Sequence, residues 1–246
     1  MAKRHRLVMG ALVLVVLGCS SPPAAPPEEP QPEQVRAGDC FAAGSNDPVD
    51  CSQKHVAQAV YVGEEPPGSN AEALASCRRA QAKFLGQDFN TRLDILLWVA
   101  HDESSFRCDV VLRKSTQGGS GQVLTGSLEG AFRTGAAMDL RACLGAPYDP
   151  TADQAYAPCS EPHAAQALTV APAIGTLEEG FPADIEERAT NACNATAAAA
   201  GQLKAGRTVS AFYPESARAW ATGERTAECW IAASRGSLPA VTSKAR

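Results

Sequence analysis

The sequence lacks the features that mark several common classes of protein. Its 246 residues carry 22 basic and 27 acidic side chains, and a net charge of −5 gives no excess of basic residues, so we expect no nucleic-acid partner. Only 6% of the residues are aromatic and three are Met, which leaves little for a large cofactor pocket, so we expect no cofactor. No Walker sequence, dinucleotide fingerprint or Gly-x-Ser-x-Gly elbow is present.

No apolar run is long enough to span a bilayer as a helix, which needs roughly 20 residues. The run at 7–17 follows basic residues at positions 3, 4 and 6 and ends in Gly18-Cys19, which resembles a bacterial lipobox. We therefore predict a signal peptide at 1–18, lipidation of Cys19 with palmitate-type acyl chains, and a location on the outer face of the cytoplasmic membrane. The alternative is an ordinary signal peptide that is cut nearby, with Cys19 incidental.

A proline-rich segment follows the predicted lipid anchor. Residues 19–36 contain six prolines and almost no large apolar side chain, so they cannot form a core and are expected to be an extended tether. Without residues 1–18 the chain keeps 19 basic and 27 acidic side chains, a formal charge of −8. Anionic lipid would not attract such a body, so we expect the lipid, rather than charge, to make the membrane a partner.

The other eight cysteines fall into two sets of four, and the sequence around them repeats. Residues 51–60 read CSQKHVAQAV and residues 159–168 read CSEPHAAQAL. The triplet at 126–128 aligns with a second Gly-Ser-Leu at 236–238. We predict two tandem repeats, at 37–132 and 137–241, joined by small residues at 133–137.

Each repeat is expected to be a small antiparallel sheet with one main helix, an α+β fold stapled by disulfides. In the first repeat Ser69 and Glu72 form a capping box and Gly86 ends the helix. The predicted helices are 71–85 and about 182–201, and the predicted strands are 39–41, 56–62, 93–100, 107–113, 208–213 and 226–233.

An even number of cysteines in an exported chain indicates disulfides. Each set of four allows three connectivities, and we favour the sequential one. The first pair of each set would then close a hairpin, and the second would join the helix to the last strand. The favoured pairs are Cys40–Cys51, Cys77–Cys108, Cys143–Cys159 and Cys193–Cys229.

The repeated Cys-Ser-x-x-His motif is the best candidate for chemistry. A zinc site needs about four ligands, usually with close paired spacings, and neither repeat has a second His in register, so we expect no metal. A Cys-His nucleophile needs a free thiolate, and a Ser nucleophile needs an acid in register to orient the His. The favoured interpretation is structural; the open alternative is a binding surface made of His55 and Gln58, and of His163 and Gln166.

The motifs resemble the septum-formation-related domain of actinobacterial exported and membrane-anchored proteins. In the first repeat the resemblance rests on residues 38–41, GDCF, and on CSxxH at 51–55. The second repeat adds PCSEPH at 158–163 and a later block from Pro214 through Trp220 to Trp230. The family usually has Glu three residues after the His, where this chain has Gln58 and Gln166. The first repeat also lacks the later block.

The resemblance implies a non-enzymatic envelope protein that takes part in septum formation or cell division, with an envelope or divisome protein as partner. We therefore expect a membrane-anchored binding or scaffold module. The alternative is a ligand-binding or sensor module for a small cell-envelope component, which would use the groove between the repeats. A hydrolase is a distant third.

Overall fold

The computed structural model describes residues 35–63, 68–86, 92–99, 105–133 and 140–241, and its fold is α+β as expected. The predicted signal peptide at 1–18, Cys19 and the tether up to residue 34 lie outside the described residues, as does the joint after residue 133. Those assignments stay predictions. Within the described residues, no helix is both long enough and apolar enough to cross a bilayer.

The first half of the described chain builds a six-stranded antiparallel sheet. Its strand order is β2-β1-β3-β5-β4, and β6 also pairs with β5. The predicted strands near 56–62, 93–100 and 107–113 are thereby confirmed as β3, β4 and β5. The strands are β1 (Cys40–Phe41), β2 (Pro48–Val49), β3 (Ala57–Gly63), β4 (Leu93–Val99), β5 (Phe106–Arg113) and β6 (Ser120–Gln122).

Helix α1 (Asn70–Leu85) lies on one face of this first sheet, between β3 and β4 in the chain. Its first turn is capped because the Ser69 hydroxyl accepts a hydrogen bond from the backbone N–H of Glu72, at 3.3 Å. It ends at Gly86, whose φ of 93° is left-handed and suits glycine. The buried side of the helix carries Cys77, so the sheet and helix share one core.

The second half builds a separate five-stranded antiparallel sheet with order β10-β11-β9-β7-β8. Helix α2 begins three residues after Pro182, because residues 183–184 form a turn, and it packs against β10 and β11. A five-residue helix, α3 (Ala217–Ala221), was not expected. The other elements are β7 (Cys143–Leu144), β8 (Tyr156–Ala157), β9 (Ala165–Ala167), α2 (Ile185–Ala199), β10 (Arg207–Phe212) and β11 (Glu228–Ala233).

All eight cysteines of the two sets are paired in sequence order, which confirms the favoured connectivity. One disulfide in each half joins the first strand of the first hairpin to the turn that follows its second strand, and the other joins the main helix to the last long strand. The four bonds are Cys40–Cys51, Cys77–Cys108, Cys143–Cys159 and Cys193–Cys229. The described residues all belong to one compact unit.

The correspondence of the two halves differs from the expected alignment at their C-terminal ends. His55 forms a backbone bridge with Leu124, whereas His163 forms the same bridge with Leu238. Leu124, and not Leu128, is therefore the counterpart of Leu238. The alignment of the two Gly-Ser-Leu triplets was therefore wrong, because the structure matches the two halves by the residue whose backbone pairs with that of the motif His.

Candidate functional site

The two histidines of the repeated motif are buried rather than presented at a surface. His55 is 1% exposed and His163 is 2% exposed. The ring Nδ1 of His55 lies 2.9 Å from the carbonyl oxygen of Gln53, and that of His163 lies 2.8 Å from the carbonyl oxygen of Glu161. A carbonyl oxygen only accepts, so Nδ1 is the protonated nitrogen in both rings. This geometry favours the structural interpretation of the histidines.

Gln58 joins three separate segments of the first half. Its amide nitrogen donates to the carbonyl oxygen of Gly38 at 2.8 Å and to the Ser127 hydroxyl at 3.1 Å. Its amide oxygen accepts from the backbone N–H of Leu128 at 2.8 Å. The side chain is fully buried. Because an ionised carboxylate cannot donate to the Gly38 carbonyl, Gln suits this position where the family usually has Glu.

Gln166, at the same place in the second half, has a different environment. It is half-buried, and its amide lies 3.3 Å from Nε2 of His163. Since Nδ1 of His163 carries a proton, a neutral ring offers Nε2 as an acceptor, and we assign the Gln166 amide so that its nitrogen donates to it. In the first half, the amide of Gln58 is hydrogen-bonded to Gly38, Ser127 and Leu128 instead, and Nε2 of His55 has no hydrogen-bond partner among the described residues.

The block around Trp220 holds loops together on the second half. The indole N–H of Trp220 donates to the carbonyl oxygen of Glu179 at 2.8 Å. Arg225 stacks on the Trp220 ring at 3.9 Å and donates through Nε to the carbonyl oxygen of Thr176 at 2.7 Å. Gly223, with a φ of 93°, lies so close to Ala71 of α1 that a Cβ would come within 2.7 Å of it. The block thus positions the second half against the first.

A second contact joins the two halves through the loop after β5. The backbone N–H of Thr116, in the loop after β5, donates to the carbonyl oxygen of Gln154 at 2.9 Å. The N–H of Gln117 donates to Asp153 Oδ1, also at 2.9 Å. The halves are therefore in contact here as well as at Gly223.

A cleft of about 640 Å³ lies between the two halves and is lined by residues of both. One wall comes from α1 and the start of β4, and the other comes from the end of β10, the α3 region and β11. Two ion pairs bridge it: Arg78 with Glu224, and Arg113 with Glu228 at 3.9 Å. We call this space, with the residues that line it, the inter-sheet cleft.

Tyr156 of the second half joins the halves through its ring, which lies beside two arginines of the first half. The guanidinium carbon of Arg92 lies 5.1 Å from its ring centroid, and that of Arg113 lies 5.9 Å away. Burial raises the pKa of Tyr156 to about 12, while Arg113 opposes the shift. The phenol stays neutral at physiological pH, so its contribution here is its ring.

The face of the first sheet that points away from α1 contains a buried charge. Asp109 is fully buried, and its carboxylate oxygens lie 2.9 and 3.1 Å from Nε of Arg107. Burial raises the pKa of Asp109, and Arg107 opposes the shift. The residue after the last Cys in the other half is Trp230, which is buried and stacks on Tyr148 at 4.9 Å. The position directly after the last Cys is therefore an ion-paired aspartate in the first half and a stacked tryptophan in the second.

Sequence reasoning found the motif residues and expected a groove between the repeats, but it did not identify the residues that line the cleft. Among the described residues, no group of three or more His, Cys, Asp or Glu side chains is placed to hold a metal. The cleft residues come from elements far apart in the chain and share no motif. The sequence predicted where the groove would lie but not which residues would line it. The one sequence signal for its wall was the block around Trp220.

A protein-family model described as septum formation matches residues 37–229, which is well over half of the chain. The match runs through both sheets as one stretch, so it leaves the interpretation as two tandem copies a prediction. No curated protein and no solved structure matches the chain.

Proposed function

The chain belongs to the septum-formation family, and we propose that it takes part in septum formation as a non-enzymatic binding module of the cell envelope. The observation that carries the proposal is the family match over both sheets together with the cleft between them. A cleft between two halves that already contact each other is suited to binding, since little ordering is needed when a partner enters.

The chemistry of the repeated motif supports binding rather than catalysis. The cysteines of both motifs are in disulfides, so they offer no thiolate nucleophile. His55 and His163 are buried and hydrogen-bonded to their own loops. The septum-formation family is also not a known enzyme family.

We further propose that the protein is exported and held at the outer face of the cytoplasmic membrane by lipid on Cys19. Four disulfides are typical of a protein that folds outside the reducing cytosol. The proline-rich segment before residue 35 would then hold the two sheets away from the bilayer, within reach of an envelope or divisome protein.

Membrane fractionation tests the anchor. The wild-type chain is expected in the membrane fraction, to incorporate labelled palmitate, and to leave the membrane only in detergent. The variant Cys19→Ala should be unlabelled and should either remain as uncleaved precursor or leave the membrane. The matched control is Ser20→Ala, which should behave as wild type. Equal labelling of Cys19→Ala would refute the anchor.

Depletion of the protein tests its role in septum formation. We expect depleted cells to lengthen or to misplace septa, and full-length wild-type protein to restore normal spacing. Normal septa and normal cell length after complete depletion, in a strain without a second member of the family, would contradict the proposal.

A second candidate is a ligand-binding or sensor module for a small cell-envelope component. The cleft volume of about 640 Å³ favours it, because small-molecule sites usually measure about 300–1,000 Å³. A thermal shift with purified cell-wall fragments, lost on altering the cleft but not the motif histidines, would favour this candidate.

A further inference from the structure

We propose that a groove between α2 and the open edge of β10 binds an extended peptide segment of a partner protein, which adds a strand to the second sheet and places a basic side chain between Glu186 and Glu215. We call this space the β10 groove. It shares only Tyr213 with the residues that line the inter-sheet cleft. This inference rests on the proposed function as a binding module and deepens it by naming a site and the chemistry of the partner.

β10 lies at the edge of the second sheet. Among the described residues it pairs only with β11, which pairs on its other side with β9. The carbonyl oxygen of Cys229 accepts from the N–H of Leu168 at 2.7 Å, on the side of β9, and the N–H of Ser234 donates to the carbonyl oxygen of Gly206 at 2.8 Å, on the side of β10. The odd-numbered residues of β11 therefore direct their backbone groups to β9 and the even-numbered ones to β10, because alternate residues of a strand bond to opposite sides.

The register of the two strands then shows which backbone groups of β10 are open. Thr208, Ser210 and Phe212 face even-numbered residues of β11 and bond to that strand. Val209 and Ala211 direct their N–H and carbonyl groups away from the sheet, and these groups have no hydrogen-bond partner among the described residues. Such an edge accepts an extended peptide through main-chain hydrogen bonds.

A row of side chains on α2 forms the wall beside this edge. Glu186, Thr190 and Asn194 follow one another at intervals of four residues, so they lie on one side of the helix. Together with Val209 and Ala211 they line the β10 groove, whose volume is about 250 Å³. A peptide strand beside β10 would place alternate side chains in this space and the others towards solvent.

The β10 groove is acidic at one end. Burial raises the pKa of Tyr213, and the charges of Glu186 and Glu215 raise it further, so both carboxylates lie near this phenol. Both are exposed, and neither belongs to an ion pair or a side-chain hydrogen bond among the described residues.

These carboxylates set the charge of the occupant. None of the described residues that line the β10 groove is basic, so a lysine or arginine of the peptide would supply the missing partner. A small amine could satisfy the carboxylates but not the open backbone groups of β10. The two features together select a peptide that carries a basic residue.

A random decapeptide library displayed on phage tests the proposal. The full chain, purified from membranes in detergent with its disulfides intact, is immobilised and the library is selected on it. We expect enriched sequences that share a basic residue within a run of β-branched or aromatic residues. The best sequence, made as a fluorescent peptide, is then titrated by fluorescence polarisation.

Amide hydrogen exchange followed by NMR reports the addition of a strand. In the free chain the N–H groups of Val209 and Ala211 should exchange faster than those of Ser210 and Phe212, which bond to β11. A saturating concentration of the peptide should slow exchange at Val209 and Ala211 by about 10-fold or more.

Backbone and charge variants locate the binding. Ala211→Pro removes an N–H that β11 does not use, so it should abolish binding and leave the sheet intact, whereas Ala211→Ser keeps the N–H and should bind as wild type. Glu186→Gln and Glu215→Gln should each weaken the peptide about 10-fold. The matched control is Glu187→Gln, which is exposed in the same turn of α2 but does not line the groove, and it should bind as wild type.

A charge exchange tests the basic residue of the peptide. The peptide in which glutamate replaces this residue should lose affinity for wild type and regain it for Glu215→Lys. Circular dichroism checks the fold of every variant, and the two glutamine variants decide the outcome if Ala211→Pro does not fold.

The proposal is overturned if no peptide is enriched, if enriched peptides bind the folded groove variants as well as wild type, or if they leave exchange at Val209 and Ala211 unchanged. Its failure differs from failure of the proposed function. Normal septa after depletion would refute the role in division and leave peptide binding standing. Defective septa without peptide binding would do the reverse.

Discussion

Replacing Gln58 by Ala should be far more damaging than the same change at Gln166, although the two occupy the same place in the repeated motif. Gln58 is fully buried, and its strongest hydrogen bonds are with Gly38, Ser127 and Leu128. A buried hydrogen bond contributes about 1 kcal/mol net, and truncation also strands the Gly38 carbonyl and the Leu128 N–H.

The expected loss for Gln58→Ala is therefore about 3–4 kcal/mol in the free energy of unfolding. For a chain of this size that corresponds to a fall in Tm of about 10 °C. Gln166 is half-buried and makes one bond of 3.3 Å, to His163, so Gln166→Ala should cost about 1 kcal/mol and lower Tm by about 3 °C.

Urea denaturation of the oxidised proteins, followed by circular dichroism, measures both values under one set of conditions. The difference between the two variants should be at least about 2 kcal/mol, with similar m-values. Equal losses would show that the hydrogen-bond account of Gln58 is mistaken. A loss below about 1 kcal/mol for Gln58→Ala would refute it outright.

Three further predictions concern stability. Replacing both Cys77 and Cys108 by Ala opens a loop with a sequence separation of 31 and should lower the free energy of unfolding, measured by chemical denaturation, by about 4 kcal/mol. This loss should be roughly 1 kcal/mol larger than the loss on removing the Cys40–Cys51 disulfide, whose separation is 11. Equal losses, or the reverse order, would contradict the loop-closure reasoning. Gly223→Ala should lower the free energy of unfolding by about 3 kcal/mol, because the backbone is left-handed there and the new Cβ would collide with Ala71. Gly236→Ala is the control: its φ of 72° is also left-handed but the surrounding space is open, so the loss should be about 1 kcal/mol. Similar losses for the two variants would argue against a tight contact between the halves. Burial raises the pKa of Asp109, so the folded state holds the proton of this carboxyl more tightly than the unfolded state. The contribution of Asp109 to stability is therefore fully present below about pH 4 and is lost as the pH rises through the folded pKa. Asp109→Asn should remove this part of the dependence of the unfolding free energy on pH, measured from about pH 3.5 to 7, and an unchanged dependence would contradict the prediction.

Much of the fold follows from the sequence because cysteine spacing and helix caps act locally. Ser69 and Gly86 mark the ends of α1 within one residue, since a side-chain cap and a left-handed glycine are properties of single positions. The sequential disulfides follow because each pair joins two elements of the same half, with sequence separations of 11 to 36.

The positions that sequence reasoning missed depend on contacts between distant segments. Leu124 pairs with the His55 backbone across nearly 70 residues, and no local pattern distinguishes it from Leu128. The cleft arises where α1 and β4 meet the end of β10, so Arg79 and Asp94 become neighbours of one space only after the halves have packed. A five-residue helix such as α3 is also too short to show amphipathic periodicity.

The repeated motif illustrates how one pattern can support two local structures. In both halves the His is buried and bonds a carbonyl oxygen two residues earlier. The Gln three residues later bonds the ring in the second half and the 127–128 segment in the first. The two histidines are therefore placed alike in the two halves, whereas the repeated sequence does not indicate which partner each Gln bonds.

The distribution of the protein in dividing cells tests the central claim most directly. The full chain is fused at its C-terminus to a fluorescent protein that matures outside the cytoplasm, and fluorescence per unit of membrane is compared between septum and side wall. A membrane dye in the same cells corrects for the doubled membrane at the septum. A role in septum formation predicts a corrected ratio clearly above one that rises as constriction begins; a ratio of one throughout the cell cycle would contradict it.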